Sequence, residues 1–131
     1  MKLHGLKKTE RLNKDVEIKH LFSTGKHHFA YPILAFYVAT EQVGEVAILC
    51  SVAKKRFKHA VDRNRVKRLM RETFRLNRTK LTQTLAEQQI GLHLAFVMSG
   101  NRMISFEKMN HAMQTILDEV LKDLQHERPQ Q

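Results

Sequence analysis

One stretch of the chain, residues 60–78, constrains the fold most, because its apolar and basic residues recur with helical spacing. The apolar residues follow the i, i+3, i+4, i+7, i+8 pattern that places side chains on one side of an α-helix. They are Val66, Leu69, Met70 and Phe74, and Thr73 falls on the same side. The opposite side carries Asn64, Lys67, Arg68, Arg71, Arg75 and Arg78. Such a helix needs a partner for its apolar side, and we expect that partner to be a β-sheet.

The other segments predict the sheet and two further helices. Strands are expected at 31–39, 45–52 and 92–98. The sequence does not decide whether residues 27–30 form a further short strand. A first helix is expected from Lys14 to about Ser23, and Ser105 is a candidate N-cap for a long last helix reaching Leu124. Residues 79–89 either extend the basic helix or form a separate one. The prediction is an α+β fold, a single compact α/β sandwich of order α-β-β-β-α-β-α.

Length and composition fit one domain covering residues 1–131, with a mobile basic arm at 1–11 and a polar tail at 126–131. The hydrophobic content of 42% is enough for one core. No apolar run approaches the roughly 18–20 residues that span a bilayer, and residues 1–11 lack the apolar region of a secretory signal. Cys50 is the only cysteine, which excludes an internal disulfide and favours a reducing cytoplasm.

The charge of the chain is concentrated in one segment. Residues 54–80 hold 12 basic residues against two acidic ones, so this segment accounts for the whole net charge of +10. A surface that serves solubility mixes both signs, whereas one concentrated cationic face is typical of a binding site for a polyanion.

The residue types on the basic helix favour a nucleic acid. Arginine outnumbers lysine there, and its planar guanidinium matches the oxygens of a phosphate group. Asn64 adds a neutral donor and acceptor. A solvated charged face is the simpler alternative, and charge alone does not separate RNA from DNA. However, no zinc finger, helix-turn-helix or basic zipper pattern is present, so structured RNA is the favoured ligand.

Residues 51–75 closely resemble the signature of the bacterial ribonuclease P protein component. The core of the match is Arg63-Asn64-Arg65, followed by Lys67-Arg68, Arg71-Glu72 and Phe74-Arg75. The resemblance extends from about Leu6 to Leu121, although it is sharp only between Val52 and Arg75.

The resemblance implies a fold like domain 2 of ribosomal protein S5, with a left-handed crossover. It also implies a function: the protein joins a catalytic RNA that, with bound magnesium, removes the 5′ leader of precursor tRNA. The implied RNA-binding residues are Lys54, Lys55, Arg56, Arg63, Asn64, Arg65, Lys67, Arg68, Arg71 and Arg75. The implied leader-binding cleft consists of Ile18, Phe22, Phe36, Ser51, Ala53 and Lys54.

Aromatic residues beside a basic groove are also how single strands are held in general, by stacking and by backbone charge. The alternative for each aromatic residue is packing in the core. The two alternatives are balanced for Phe22, whereas for Phe29 we expect a place in the core. Ile18 stands where many members of the family have phenylalanine.

Catalysis by the protein itself is not expected. Its carboxylates are scattered, and no pair of histidines or cluster of acids suggests a nuclease site. We therefore predict no catalytic and no metal-binding residue, an inactive protein in isolation, and Mg²⁺ held mainly by the RNA partner. The free protein is expected to be a monomer that raises substrate affinity and lowers the magnesium requirement. The alternatives are a ribosomal or ribosome-assembly protein and a dimeric DNA-binding regulator.

Overall fold

The computed structural model of the chain describes residues 15–126. The helices are α1 (Asp15–Thr24), α2 (Ala60–Asn77), α3 (Thr79–Gln88) and α4 (Phe106–His126). The strands are β1 (Lys26–Ala30), β2 (Ile33–Thr40), β3 (Val46–Ser51) and β4 (Gly91–Met98). The α+β fold and the order of its elements are confirmed, and the segment left open after the basic helix forms a separate helix. The expected basic arm at 1–11, Lys14 and the tail beyond His126 lie outside the described residues.

The four strands form one sheet in the order β1-β2-β4-β3. Strand β2 is antiparallel to both of its neighbours, β1 and β4, whereas β3 lies parallel to β4. The parallel pair requires a long crossover, and α2 and α3 supply it. Strands β2 and β3 follow each other in the chain but are separated in the sheet by β4.

One face of the sheet is covered by α2 and α4, which also pack against each other. Alternate residues of each strand point into this layer, where Phe96 meets Phe74 of α2 with ring centroids 5.7 Å apart. Helix α4 begins as expected, because the backbone N–H of Lys108 donates to Ser105 Oγ at 3.2 Å. Within residues 15–126, no helix combines the length and apolarity that crossing a membrane requires.

Among residues 15–126, the opposite face of the sheet is covered only by α1. Leu21 is fully buried there against Ala95 of β4. The chain then turns from α1 into β1 at Gly25, where an added Cβ would lie 2.4 Å from the carbonyl oxygen of Leu21 and 2.8 Å from that of Tyr37. Only glycine allows this approach, so Gly25 determines how closely α1 lies on the sheet.

Three side chains join α4 to the edge of the sheet. The Tyr37 hydroxyl donates to Asp123 Oδ2 at 2.5 Å, and His28 Nε2 lies 2.5 Å from the same oxygen. Burial of Asp123 opposes its ionisation, but the hydrogen bonds from Tyr37 and His28 prevail and lower the pKa of this carboxyl group. The carboxylate thus holds the last helix against β1 and β2.

Candidate nucleic-acid interface

The two sides of α2 differ as the sequence predicts. Val66, Met70, Thr73 and Phe74 are buried in the core, and Leu69 packs against it. The one polar group among them is satisfied within the helix, because the Thr73 hydroxyl donates to the carbonyl oxygen of Leu69 at 2.8 Å. Anchoring along more than two turns fixes the direction in which the basic side projects.

Three arginines on α2 form no ion pair with a carboxylate among residues 15–126. Arg65 and Arg68 are exposed and Arg71 is half-buried. Asn64 is exposed beside them, and Lys67 is half-buried on the same helix. We call Arg65, Arg68 and Arg71 the unpaired arginines, because repulsion among them is relieved only when an anion binds.

Two other arginines of α2 are held locally. The Arg75 Nε donates to Glu72 Oε1 at 3.2 Å, and the Arg75 NH2 nitrogen donates to Glu72 Oε2. The hydrogen bonds to Glu72 raise the pKa of Arg75 above its usual value. The Arg78 guanidinium lies 5.3 Å from the centroid of the Phe74 ring, within the range of a cation–π contact. The arginines on the basic side of α2 therefore differ in their partners along the helix.

Arg63, the first arginine of the sequence signature, faces the preceding loop. Its NH1 nitrogen donates to the carbonyl oxygens of Phe57 and Lys58, each at 2.9 Å. Two carbonyls that precede the helix are satisfied in this way, and the loop is held against the first turn of α2. The structure thus gives Arg63 a positioning role that the pattern alone did not reveal.

We expect Arg63→Ala to lower the free energy of unfolding of the RNA-free protein by about 1–2 kcal/mol, because it removes the donor to two carbonyls. Urea denaturation measures this change. Arg68→Ala is the matched control, since Arg68 is exposed, and it should stay within about 0.5 kcal/mol of the parent. Equal effects from the two variants would contradict the positioning role of Arg63.

The loop between β3 and α2 adds cations next to the helix. Lys54 and Lys55 are exposed, and Arg56 is half-buried. The backbone N–H groups of Arg56 and Phe57 donate to the carbonyl oxygen of Ala53 at 3.1 and 3.2 Å, forming a tight turn. The loop therefore presents its lysines from a defined backbone.

A hollow of about 380 Å³ lies where this loop meets the start of α2. Its cationic lining consists of Arg56, Lys58 and Arg65, and Asn101 reaches it from the loop after β4. The sequence did not single out Asn101, because the loop that carries it is distant in the chain and weakly basic. The signal that indicates Asn101 is spatial, since β4 brings its loop to the start of α2.

The predicted cleft residues on α1 and β2 come together on the opposite face of the sheet. The Phe22 and Phe36 rings make an edge contact with centroids 4.8 Å apart and an interplanar angle of 64°. Ile18 and Phe36 pack against the buried pair Leu21 and Ala95. The Phe22 side chain is 39% exposed, so it lies at the surface beside Phe36 rather than in the core. Ser51, half-buried, and the exposed Ala53 and Lys54 lie at and beyond the end of β3.

The prediction that Phe29 belongs to the core is wrong. Its side chain is 59% exposed. The reason is the register of β1, in which His28 points toward α4 while its neighbours His27 and Phe29 point to the cleft face. The His27 ring lies 5.8 Å from that of Phe36, so it extends the aromatic surface toward the sheet edge.

Comparison with known proteins identifies the family. The model of the family described as ribonuclease P matches residues 6–121 of the chain. The chain belongs to the ribonuclease P protein family. The ribonuclease P protein component of Porphyromonas gingivalis strain W83 is 43% identical over 115 residues, which cover 86% of this chain and 84% of that protein.

Solved structures of the family have the same fold. The ribonuclease P protein of Staphylococcus aureus matches with a TM-score of 0.70 at 16% identity, covering 86% of this chain and 96% of the other. A mutant of that protein, described as having defective mRNA degradation activity, also matches with a TM-score of 0.70 at 16% identity, over 87% of this chain and 90% of its own.

Family membership gives the coarse function. A ribonuclease P protein component is a subunit of an endoribonuclease that processes tRNA, and its partner is the ribonuclease P RNA. In this ribonuclease P protein, residues 15–126 bring together no three His, Cys, Asp or Glu side chains in the manner of a metal site.

Proposed function

We propose that this protein binds the catalytic RNA through α2 and holds the 5′ leader of precursor tRNA in the cleft between α1 and the sheet. The observation that carries the proposal is the set of unpaired arginines, presented by a helix whose other side is anchored in the core. Binding by the protein then supplies affinity and position, while the RNA performs the cleavage.

The chemistry of α2 supports contact with phosphate groups. A guanidinium that already has a carboxylate partner gains little from a phosphate, whereas Arg65, Arg68 and Arg71 have no such partner among residues 15–126. The exposed lysines of the β3–α2 loop, Lys54 and Lys55, continue the cationic surface. Together they offer charge to several phosphates and a fixed backbone from which to place it.

The chemistry of the cleft supports a single strand as its ligand. Phe22 and Phe36 present ring surface on which bases stack, and stacking does not depend strongly on base identity. Lys54, beyond the end of β3, supplies charge for the strand's backbone. A leader of any sequence is thus a suitable ligand.

The magnesium requirement follows from the same charges. The arginines neutralise RNA phosphates that otherwise need divalent ions, so the holoenzyme works at a lower magnesium concentration than the RNA alone. We assign Mg²⁺ to the RNA partner and no catalytic group to the protein. The free protein is proposed to be a cytoplasmic monomer that is inactive without the RNA.

The test is cleavage of precursor tRNA at low magnesium by a bacterial ribonuclease P RNA, with and without this protein. We expect accurate 5′ processing only when both are present. The Arg65, Arg68 and Arg71 triple alanine variant should fail to restore it. If the protein binds RNA but does not change processing, the function in ribosome assembly becomes the better explanation.

A control without the catalytic RNA tests the inactivity of the protein. Precursor tRNA and an mRNA are each incubated with the pure protein. The mRNA is included because the S. aureus mutant is described as defective in mRNA degradation activity. We expect neither to be cut. Turnover that persists in the pure protein and follows its concentration would refute the assignment of catalysis to the RNA.

A further inference from the structure

The cleft face of the sheet carries two parallel rows of side chains, each crossing all four strands. The first row follows the pairing of His27 with Phe36, Phe36 with Ala95, and Ala95 with Leu49. The second row follows the pairing of Phe29 with Leu34, Leu34 with Val97, and Val97 with Ser51. We call this second row the shelf.

Helix α1 covers the two rows unequally. The cluster beneath α1 includes Phe36, Ala95 and Leu49 of the first row, and it includes no residue of the shelf. Leu34, Val97 and Ser51 are half-buried, and Phe29 at the end is largely exposed. With respect to residues 15–126, the shelf is therefore an uncovered strip beside α1, bordered by the Phe22–Phe36 pair.

The shelf has different chemistry at its two ends. At β3 it ends in the Ser51 hydroxyl, close in the chain to Lys54, and at β1 it ends in the Phe29 ring on the edge of the sheet. Strands lie about 4.8 Å apart, so the four strands give a path of roughly 14 Å. Cations at one end and an exposed ring at the other suit a strand that crosses the sheet.

Building on the function proposed above, we infer that Phe29 is a second stacking site for single-stranded RNA, placed on the edge strand beyond the Phe22–Phe36 pair. A base that leaves this pair along the shelf meets Phe29, and the His27 ring stands beside the same path. The leader therefore crosses the sheet toward β1, and longer leaders make a contact that shorter ones cannot reach.

The chain offers a direct probe of this contact, because it contains no tryptophan. Phe29→Trp, Phe22→Trp and Val43→Trp each introduce a single tryptophan, whose emission can be excited selectively. Val43 is 56% exposed in the turn between β2 and β3, away from the shelf, and serves as the matched control. Each variant is assembled with ribonuclease P RNA and titrated with precursor tRNAs whose leaders increase in length, and with mature tRNA.

Stacking on a base quenches tryptophan emission, so the variants report where the leader runs. We expect the Phe22→Trp emission to fall with short leaders, the Phe29→Trp emission to fall only with longer ones, and the Val43→Trp emission to stay constant. Mature tRNA should quench none of them. Phe29→Ala should weaken binding of the long-leader precursor by roughly five- to tenfold and leave the short-leader precursor unaffected.

Failure of the inference about Phe29 and failure of the proposed function give different results. If Phe22→Trp responds to the leader while Phe29→Trp does not, and Phe29→Ala binds all leaders like the parent, then the leader occupies the cleft without reaching β1 and the inference is wrong. If neither position responds and the protein does not assist processing, the proposed function itself is wrong, and the shelf has no RNA to bind.

Discussion

Replacing Arg65, Arg68 and Arg71 together by alanine should weaken binding to ribonuclease P RNA by about 100-fold, if each charge-assisted hydrogen bond to the RNA contributes about 1 kcal/mol. The same variant should flatten the salt dependence, because each phosphate contact contributes roughly 0.7–0.9 to the slope of log K against log salt. A loss of about 2–2.7 in that slope is therefore expected. Filter binding across a salt series measures both quantities.

Arg75→Ala is the control for the unpaired arginines. Arg75 lies on the same helix and has the same chemistry, but its guanidinium is already bound to Glu72. The Arg75→Ala variant should therefore reduce the affinity for RNA, and the slope of log K against log salt, less than Arg68→Ala does. If Arg75→Ala has the larger effect of the two, then the pair with Glu72 opens on binding, and partners in the free protein do not indicate which arginines hold RNA.

Phe22→Ala should weaken binding of precursor tRNA to the holoenzyme by roughly tenfold or more, since stacking of one base on an aromatic ring contributes about 1–3 kcal/mol. Mature tRNA lacks the leader, so its affinity should not change. The difference between the two substrates, measured as two dissociation constants for each variant, isolates the cleft from all other contacts with tRNA.

Val16→Ala provides the matched control on the same helix, because the Val16 side chain is 79% exposed and apolar but non-aromatic. It should bind both substrates like the parent. If Phe22→Ala weakened precursor and mature tRNA equally, Phe22 would support the fold or another contact, and the cleft would lose its role in leader binding.

Periodicity in the sequence was sufficient to predict α2 and its two sides. Val66, Met70 and Phe74 recur at the helical period and are buried as expected, because a local pattern decides which side of a helix is apolar. The N-cap at Ser105 is equally local. Features that depend only on neighbours in the chain could thus be derived without the structure.

Differences among arginines could not be derived in the same way. Arg63, Arg68 and Arg75 are identical in type and lie on one helix, but their surroundings differ. Arg63 reaches loop carbonyls whose position depends on the turn after β3, and Arg75 meets Glu72, whereas Arg68 faces solvent. The partner of a long side chain depends on the backbone of other segments, which periodicity does not describe.

The exposure of Phe29 depended on information of the same non-local kind. Strand β1 is short, and which of its residues face the cleft is set by its register with β2, where Phe29 pairs with Leu34. A shift of one residue would have placed Phe29 toward α4 and the core. Hydrophobicity alone predicted that the Phe29 side chain is buried, whereas the register of β1 leaves it exposed.

The position of β4 in the middle of the sheet has a consequence for how the protein is made. Strands β2 and β3 are both hydrogen-bonded to β4, which is synthesised some 40 residues after β3. Until Gly91–Met98 has left the ribosome, only the β1–β2 hairpin can form, and the apolar side of α2 has no completed sheet to pack on. The arginine-rich segment is therefore synthesised before the sheet that supports it is complete, and folding of the domain awaits the last third of the chain.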